Sequence, residues 1–201
     1  GIIKKAAAIT NGELGTNEKS LADAIVAAAS EVVNGTWNEH FPIDVFQTGS
    51  GTSWNMNINE LIANRANEML KQPLGTRSPV HPNDHVNRGQ SSNDVIPTAI
   101  HVANRMQVEP FLKALDHLAE TLRKKENEFN ELVKLGRTHL QDAVPMTLGQ
   151  EFSGFRVQVE KAKDRIRNTL TNLEELALGG TALGTGLNAH PEFAVRVAAQ
   201  I

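Results

Sequence analysis

Ser50, Gly51 and Thr52 stand where a helix should begin, and so do Ser91, Ser92 and Asn93. Each trio sets hydroxyls or an amide beside the free backbone N–H groups of a first helical turn, which favours anions. A single start of this kind is commonly no more than a capped helix. Two of them in one chain make an anion site a fair reading. A third candidate is Thr138-His139, inside Gly136-Arg137-Thr138-His139-Leu140-Gln141-Asp142. Histidine suits general acid/base work near neutral pH, and the adjacent hydroxyl could hold a water beside it. The alternative is a packed, hydrogen-bonded loop histidine.

Two other segments carry suggestive letters. His81-Pro82-Asn83-Asp84-His85 places histidines at the spacing of zinc ligands on one helix face. Pro82 is expected to spoil that helix, and no metalloprotease glutamate accompanies the pair. A turn with an anion-holding rim is expected instead, with no metal. Gly184-Thr185-Gly186-Leu187-Asn188-Ala189 fits the dinucleotide pattern GxGxxA. That pattern needs a preceding strand and a following helix, whereas here it follows a long predicted helix and runs into Pro191. Gly179 to Gly186 therefore reads as a helix stop and close-packed turn. Trp37 and Trp54 are as readily packing as function.

The elements that must hold these segments are helical. Leu148, Phe152, Phe155, Val159, Ala162, Ile166, Leu173 and Leu176 follow one another by threes and fours apart from a polar break at Thr169. They predict one helix roughly 43 Å long at about 1.5 Å per residue. Val108, Phe111, Leu115, Leu118, Leu122 and Phe129 predict a second, with Lys125 the break in its seam and Pro110 starting or kinking it. Upstream, Lys19 to Val33 and Thr52 to Leu70 read as helices, the latter capped by Thr52 or Ser53. Nothing reads as a sheet, so the fold class is all-α. The candidate residues fall in the connections of this scaffold, where chemistry commonly sits.

Composition narrows the function classes. The 201 residues carry 20 Lys+Arg against 23 Asp+Glu, a net charge of −3, so no basic field draws the chain to nucleic acid. Aromatics are 4% with no Tyr, which leaves little for stacking bases. With no cysteine there is no disulfide, thiolate nucleophile or Cys-ligated metal. The apolar opening Gly1 to Ile9 is interrupted by Lys4 and Lys5 and lacks signal-peptide order, so neither secretion nor membrane insertion is expected.

Taken together, Gln47-Thr48-Gly49-Ser50-Gly51-Thr52 with Asn55-Met56-Asn57, then His81-Pro82-Asn83-Asp84, Ser91-Ser92-Asn93-Asp94, Gly136-Arg137-Thr138-His139, and Leu178-Gly179-Gly180-Thr181 through Asn188 resemble one family, in family order. It is the fumarase/aspartase superfamily and, within it, the class II, metal-independent fumarate hydratases. The resemblance implies a long-helix bundle, incomplete in this chain, with 1–90 part of an N-terminal helical domain and 91–201 the first part of the central bundle. It implies reversible hydration of fumarate to (S)-malate without a cofactor. Ser50, Gly51, Thr52, Ser91, Ser92, Asn93 and Thr138 would hold the dicarboxylate, and His139 with Thr138 would activate the water. His81, Pro82, Asn83 and Asp84 match a second, non-catalytic dicarboxylate site. There some family members carry an Arg three residues before the His, where this chain has Ser78, with Arg77 beside it.

The resemblance also implies a homotetramer whose active sites each draw on three subunits, in the cytoplasm or, in a eukaryote, the mitochondrial matrix. The family's serine base comes from a Gly-Ser-Ser loop followed by Lys and Asn, which the sequence does not reach before Ile201. The isolated chain is therefore expected to be inactive and to self-associate through uncovered helix faces. Aspartate ammonia-lyases share the framework but commonly show Ser-Thr-Asn at the positions of Ser91-Ser92-Asn93. A helical interaction module without catalysis is the reading from a different class.

Overall fold

The computed structural model describes all residues from Gly1 to Ile201. Seven helices and one hairpin follow in order: α1 (Ile2–Glu13), α2 (Lys19–Val33), α3 (Thr52–Met69), α4 (Ser92–Glu128), β1 (Val133–Thr138), β2 (Gln141–Thr147), α5 (Leu148–Asn168), α6 (Leu170–Leu173) and α7 (Phe193–Ala199). They gather into two compact units, one of residues 1–101 with 176–201, the other of 102–175. The chain of α4 runs from the first into the second.

Alanine-rich faces let α1, α2 and α3 of the first unit approach closely. Ala8, Ile25, Ala28, Ala29, Ile62, Ala63 and Ala66 make one core with Val80 and Val86. Ile3, Ala6 and Ala7 make another with Val95, Leu178, Phe193 and Val197. The approach of α1 to α2 is so close that a Cβ on Gly12 would sit 2.9 Å from that of Ala22. Buried asparagines on and between these helices hold the irregular segment before α4. Asn11 Nδ2 donates to the Arg88 carbonyl (3.0 Å), Asn17 Nδ2 to that of His85 (3.1 Å), and Asn67 pairs in both directions with the backbone of Val80. That is why a polar segment can lie inside without orphaned backbone groups.

In the second unit, α4 and α5 are joined by the β1–β2 hairpin, which corrects the expectation of no sheet. The hairpin closes on a two-residue turn, His139-Leu140, both with positive φ (+49° and +62°), and pairs Thr138 with Gln141. Its base is tied to the helices by Leu148 N–H on the Leu132 carbonyl (2.8 Å) and Gly149 N–H on that of Phe129 (2.9 Å). Short strands with Pro145 inside one of them give no alternating pattern to read. At the head of α5, Thr147 and Gln150 form a reciprocal capping box. Arg156 then bonds Glu126 (2.6 Å) and Glu160 (2.8 Å), and Phe129 meets Phe152 at 5.4 Å.

Three helix expectations change. The helix from Leu148 stops at Asn168 instead of running to Leu176, because Thr169 turns its hydroxyl back onto the Ile166 carbonyl (2.7 Å) and the chain restarts as α6. Of the two readings for Pro110, starting its helix is excluded, because it lies inside α4, and kinking it is the one left. The face of α4 that packs within its unit runs through Val108, Leu112 and Ala119, while Phe111, at 52% exposure, and Leu118 stay uncovered beside it.

Candidate functional site

The first turns of α3 and α4 meet in the first unit. Asn55, on α3, is only 3% exposed and donates from Nδ2 to Ser92 Oγ (2.9 Å). Gly51 precedes α3 in a left-handed conformation (φ +76°), with no side chain capping the helix, contrary to the expectation for Thr52 or Ser53. The hydroxyls of Thr48, Ser50 and Thr52 instead touch one another, at 3.3 and 3.2 Å. A Cβ on Gly51 would lie 2.8 Å from Ile96 Cδ1 on α4. Gly51→Ala is therefore expected to cost about 1–3 kcal/mol, from the positive φ and the overlap together. Urea unfolding of the full-length protein measures it, and adding Ile96→Ala should return the overlap share.

At α4 the two readings of the serine trio divide between residues. Ser91 is a cap: its Oγ accepts from Asn93 N–H (3.3 Å), and Asp94 Oδ1 reaches back to Ser91 N–H (2.8 Å). Ser92 turns toward Asn55. Asn93 donates from Nδ2 to the Ala182 carbonyl (2.8 Å). Asp94, 2% exposed, uses its other oxygen for the N–H groups of Gly179 (3.0 Å) and Thr181 (2.8 Å). The segment after Leu178 is thereby pinned to the start of α4. It is a close-packed turn, as its glycines suggest: a Cβ on Gly179 would come 2.6 Å from that of Ala194.

Beneath this junction lies a group the sequence reading passed over. Lys4 of α1 is 1% exposed and donates to Asn87 Oδ1 (2.8 Å) and Gln90 Oε1 (2.9 Å). Burial lowers its pKa to about 7, against the opposing pull of Asp94. Asn87 Oδ1 also accepts from Asn55 Nδ2 (3.3 Å).

His81 heads a π turn, Pro82–Val86, so Pro82 begins a helical turn here instead of preventing one. His81 Nδ1 accepts from Asn83 N–H and Asp84 N–H (both 3.2 Å), and His85 Nδ1 accepts from His81 N–H (2.8 Å). Both rings thus keep Nδ1 as an acceptor and carry the proton on Nε2. Burial holds the His85 pKa below its ordinary value, with the charge of Arg88 adding to the effect and Asp84 and Glu18 pulling against it. Asn83 and Asp84 are exposed at the rim of a polar cavity of about 450 Å³ that also takes in Asn87, Arg88 and Asn188. Arg77, beside Ser78, pairs with Glu60 at the surface (2.6 Å). No three His, Asp or Glu side chains gather where a metal ion could sit.

Thr138 and His139 belong to the second unit, where both are exposed at the tip of the hairpin. The structure thus brings together Ser50 to Thr52 and Ser91 to Asn93, adds Asn55, Lys4, Asn87, Gln90 and Asp94, and presents His139 separately. Asn55 and Asp94 stood inside quoted motifs without a role. Lys4 has a signal of its own, a charge on the apolar side of a helical repeat between Ile3 and Ala7, beyond its interruption of the apolar opening.

A family profile described as Lyase matches residues 1–201. The chain is 61% identical over 194 residues to a class II fumarate hydratase of Halobacterium salinarum, covering 96% of this chain and 41% of that protein. It is 54% identical over 202 residues to the mitochondrial fumarate hydratase of Rattus norvegicus, all of this chain and 40% of that one. Among solved structures, a recombinant class II fumarase from Schistosoma mansoni superposes with a TM-score of 0.88 at 47% identity, covering 98% of this chain and 41% of that one. A fumarate lyase:delta crystallin from Brucella melitensis, bound to cobalt, gives 0.92 at 44%, covering 99% and 43%. The chain therefore spans about two fifths of the length of the relatives it matches.

Proposed function

Since the chain belongs to the lyase family, we propose that it carries the substrate-binding and water-activating segments of a class II fumarate hydratase, which interconverts fumarate and (S)-malate. The observation that carries this reading is the junction of the α3 and α4 starts through Asn55 and Ser92. It presents the hydroxyls of Ser50 and Thr52 beside a helix N-terminus in a chain 54% to 61% identical to fumarate hydratases. Removing the hydrogen beside one carboxylate of malate builds an aci-carboxylate with an added negative charge. Small fixed donors and a helix dipole stabilise that charge without reorganising.

In this reading Ser50, Gly51, Thr52, Ser91, Ser92, Asn93 and Thr138 bind the dicarboxylate, and no metal or cofactor takes part. Ser91 contributes backbone position more than its hydroxyl, which caps α4. His139 with Thr138 activates the water that adds or leaves. His81 to Asp84 form a second dicarboxylate site, where His81 offers an Nε2–H. The complete protein divides near residue 90 into an N-terminal domain and a central bundle, and assembles as a tetramer in the cytoplasm or mitochondrial matrix. No helix is long and apolar enough to cross a membrane.

The full-length protein, given (S)-malate and L-aspartate separately, is expected to yield fumarate from malate alone, followed by ultraviolet absorbance. Fumarate from aspartate would move the assignment to the ammonia-lyases of the same superfamily, and fumarate from neither would leave the interaction-module reading.

A further inference from the structure

Lys4 carries a buried amino group whose hydrogen bonds reach no anion. Lys4 is buried behind the start of α4, and both acceptors of its Nζ, Asn87 Oδ1 and Gln90 Oε1, are neutral amide oxygens. Asp94, the carboxylate whose charge acts on it, already receives the N–H groups of Ser91, Gly179 and Thr181. Burying a charge without a counter-ion is unfavourable enough that such groups are retained mainly where something else answers the charge. Asn55, which bridges Asn87 to Ser92, is itself buried, so the link from Lys4 to Ser92 passes through a side chain that cannot turn to water.

We propose that Lys4 is a positioning residue for the dicarboxylate site. Through Asn87 and Asn55 it orients Ser92, through Gln90 it fixes the residue next to Ser91, and its counter-ion is the bound dicarboxylate itself. Lys4 touches no substrate; it supplies field and geometry from behind the α3–α4 junction. This rests on the fumarate hydratase reading above.

The sign of the linkage follows. A dianion at the start of α4 favours the charged form of Lys4, so binding near and above pH 7 draws a proton from solution. By reciprocity, each unit by which the ligand raises the Lys4 pKa corresponds to about tenfold tighter binding to the charged form. The charged group that acts on Lys4 is Asp94 on α4, while the 87–90 side presents the amides of Asn87 and Gln90.

The test uses the full-length protein and succinate, a dicarboxylate that can be neither hydrated nor dehydrated. Calorimetric titration at pH 7.5 in two buffers of different ionisation enthalpy gives affinity and proton uptake together. For the wild type, uptake of about half a proton is expected for a one-unit rise. Lys4→Arg, whose charge does not titrate, abolishes the uptake, and Lys4→Met abolishes it and weakens succinate about threefold, since only about a quarter of the free protein carries the charge at this pH. Circular dichroism confirms that each variant is folded, and either variant alone decides the uptake. No uptake in the wild type, uptake undiminished in a variant, or wild-type affinity in Lys4→Met would each overturn the proposal. If the wild type does not convert malate to fumarate at all, it is the functional reading that fails; if it does and the uptake is unchanged, only the role of Lys4 fails.

Discussion

Replacing His139 in the full-length protein is expected to lower kcat for malate dehydration about 10²- to 10⁴-fold, the range of a lost general acid/base, with succinate affinity held. The separation of the two effects comes from what the groups do: Ser91, Ser92 and Asn93 are proposed to hold the carboxylates, whereas His139, in the turn of the hairpin, is proposed to move the proton. Its backbone is unusual: a two-residue hairpin turn wants Asn-Gly or Asp-Gly, because both positions take positive φ. Here they are His and Leu, at +49° and +62°, with Leu140 fully exposed and so not held there by burial. Backbone of this kind persists where side-chain position matters more than local stability. The choice of variant follows. His139→Ala puts a residue without αL preference into the turn, while His139→Asn suits the turn and still removes the imidazole. Both should lose turnover to a similar degree. If His139→Asn keeps wild-type kcat while the hairpin is intact, His139 takes no part in the proton transfers.

Helical periodicity told most of the fold. The repeats in Lys19 to Val33 and Thr52 to Leu70 became α2 and α3 with almost unchanged ends, because each has one face to bury and no competing pattern. What escaped was set by single polar atoms. Thr169 ends α5 through one hydroxyl on one carbonyl, and the β1–β2 hairpin owes its existence to closure between two helices, not to its own side-chain pattern. On α4 a three-four repeat could not say which of its two apolar flanks packs, so Phe111 and Leu118 were placed in the seam that Leu112 and Ala119 occupy.

The site was legible in the same uneven way. Residues that announce themselves by type at helix starts, Ser50 to Thr52 and Ser91 to Asn93, were found, and the structure brings them together. Asn55, Asn87 and Gln90 announce nothing, because polar side chains are usually solvated, and Lys4 announces only a charge on an apolar helix face. Only the burial of Lys4 and the bonds it makes give it meaning. Arg77 shows the converse: a charge that stands out beside Ser78 in the sequence pairs with Glu60 at the surface.

Asp94→Ala should be the most disruptive single change to the site's architecture, opening the contact between the start of α4 and the 178–182 segment. One carboxylate accepts three backbone N–H groups from two parts of the chain far apart in sequence, at 2.8, 3.0 and 2.8 Å. Bonds to a charged acceptor contribute about 1.5–3 kcal/mol each, and a buried N–H left without a partner costs about 1–3 kcal/mol. Ser91 is half-buried and can turn to water, whereas Gly179 and Thr181 are buried and cannot, so a net loss of about 3–5 kcal/mol is expected. Global unfolding is a poor ruler for a local clamp. Amide exchange in a peptide spanning residues 178–182 is a better one, and at 3 kcal/mol it should speed up about 10²-fold if that segment opens by itself. Asp94→Asn falls between, since an amide keeps one oxygen for one side of the clamp and turns an NH₂ toward N–H donors on the other. Because Asn93 also holds this segment, through the Ala182 carbonyl, opening it displaces a proposed substrate ligand, and the malate KM should rise with the exchange rate across the two variants. Exchange in 178–182 unchanged in Asp94→Ala would mean that packing of Leu178 against Phe193 and Val197 holds the turn, with the carboxylate along only for the helix cap.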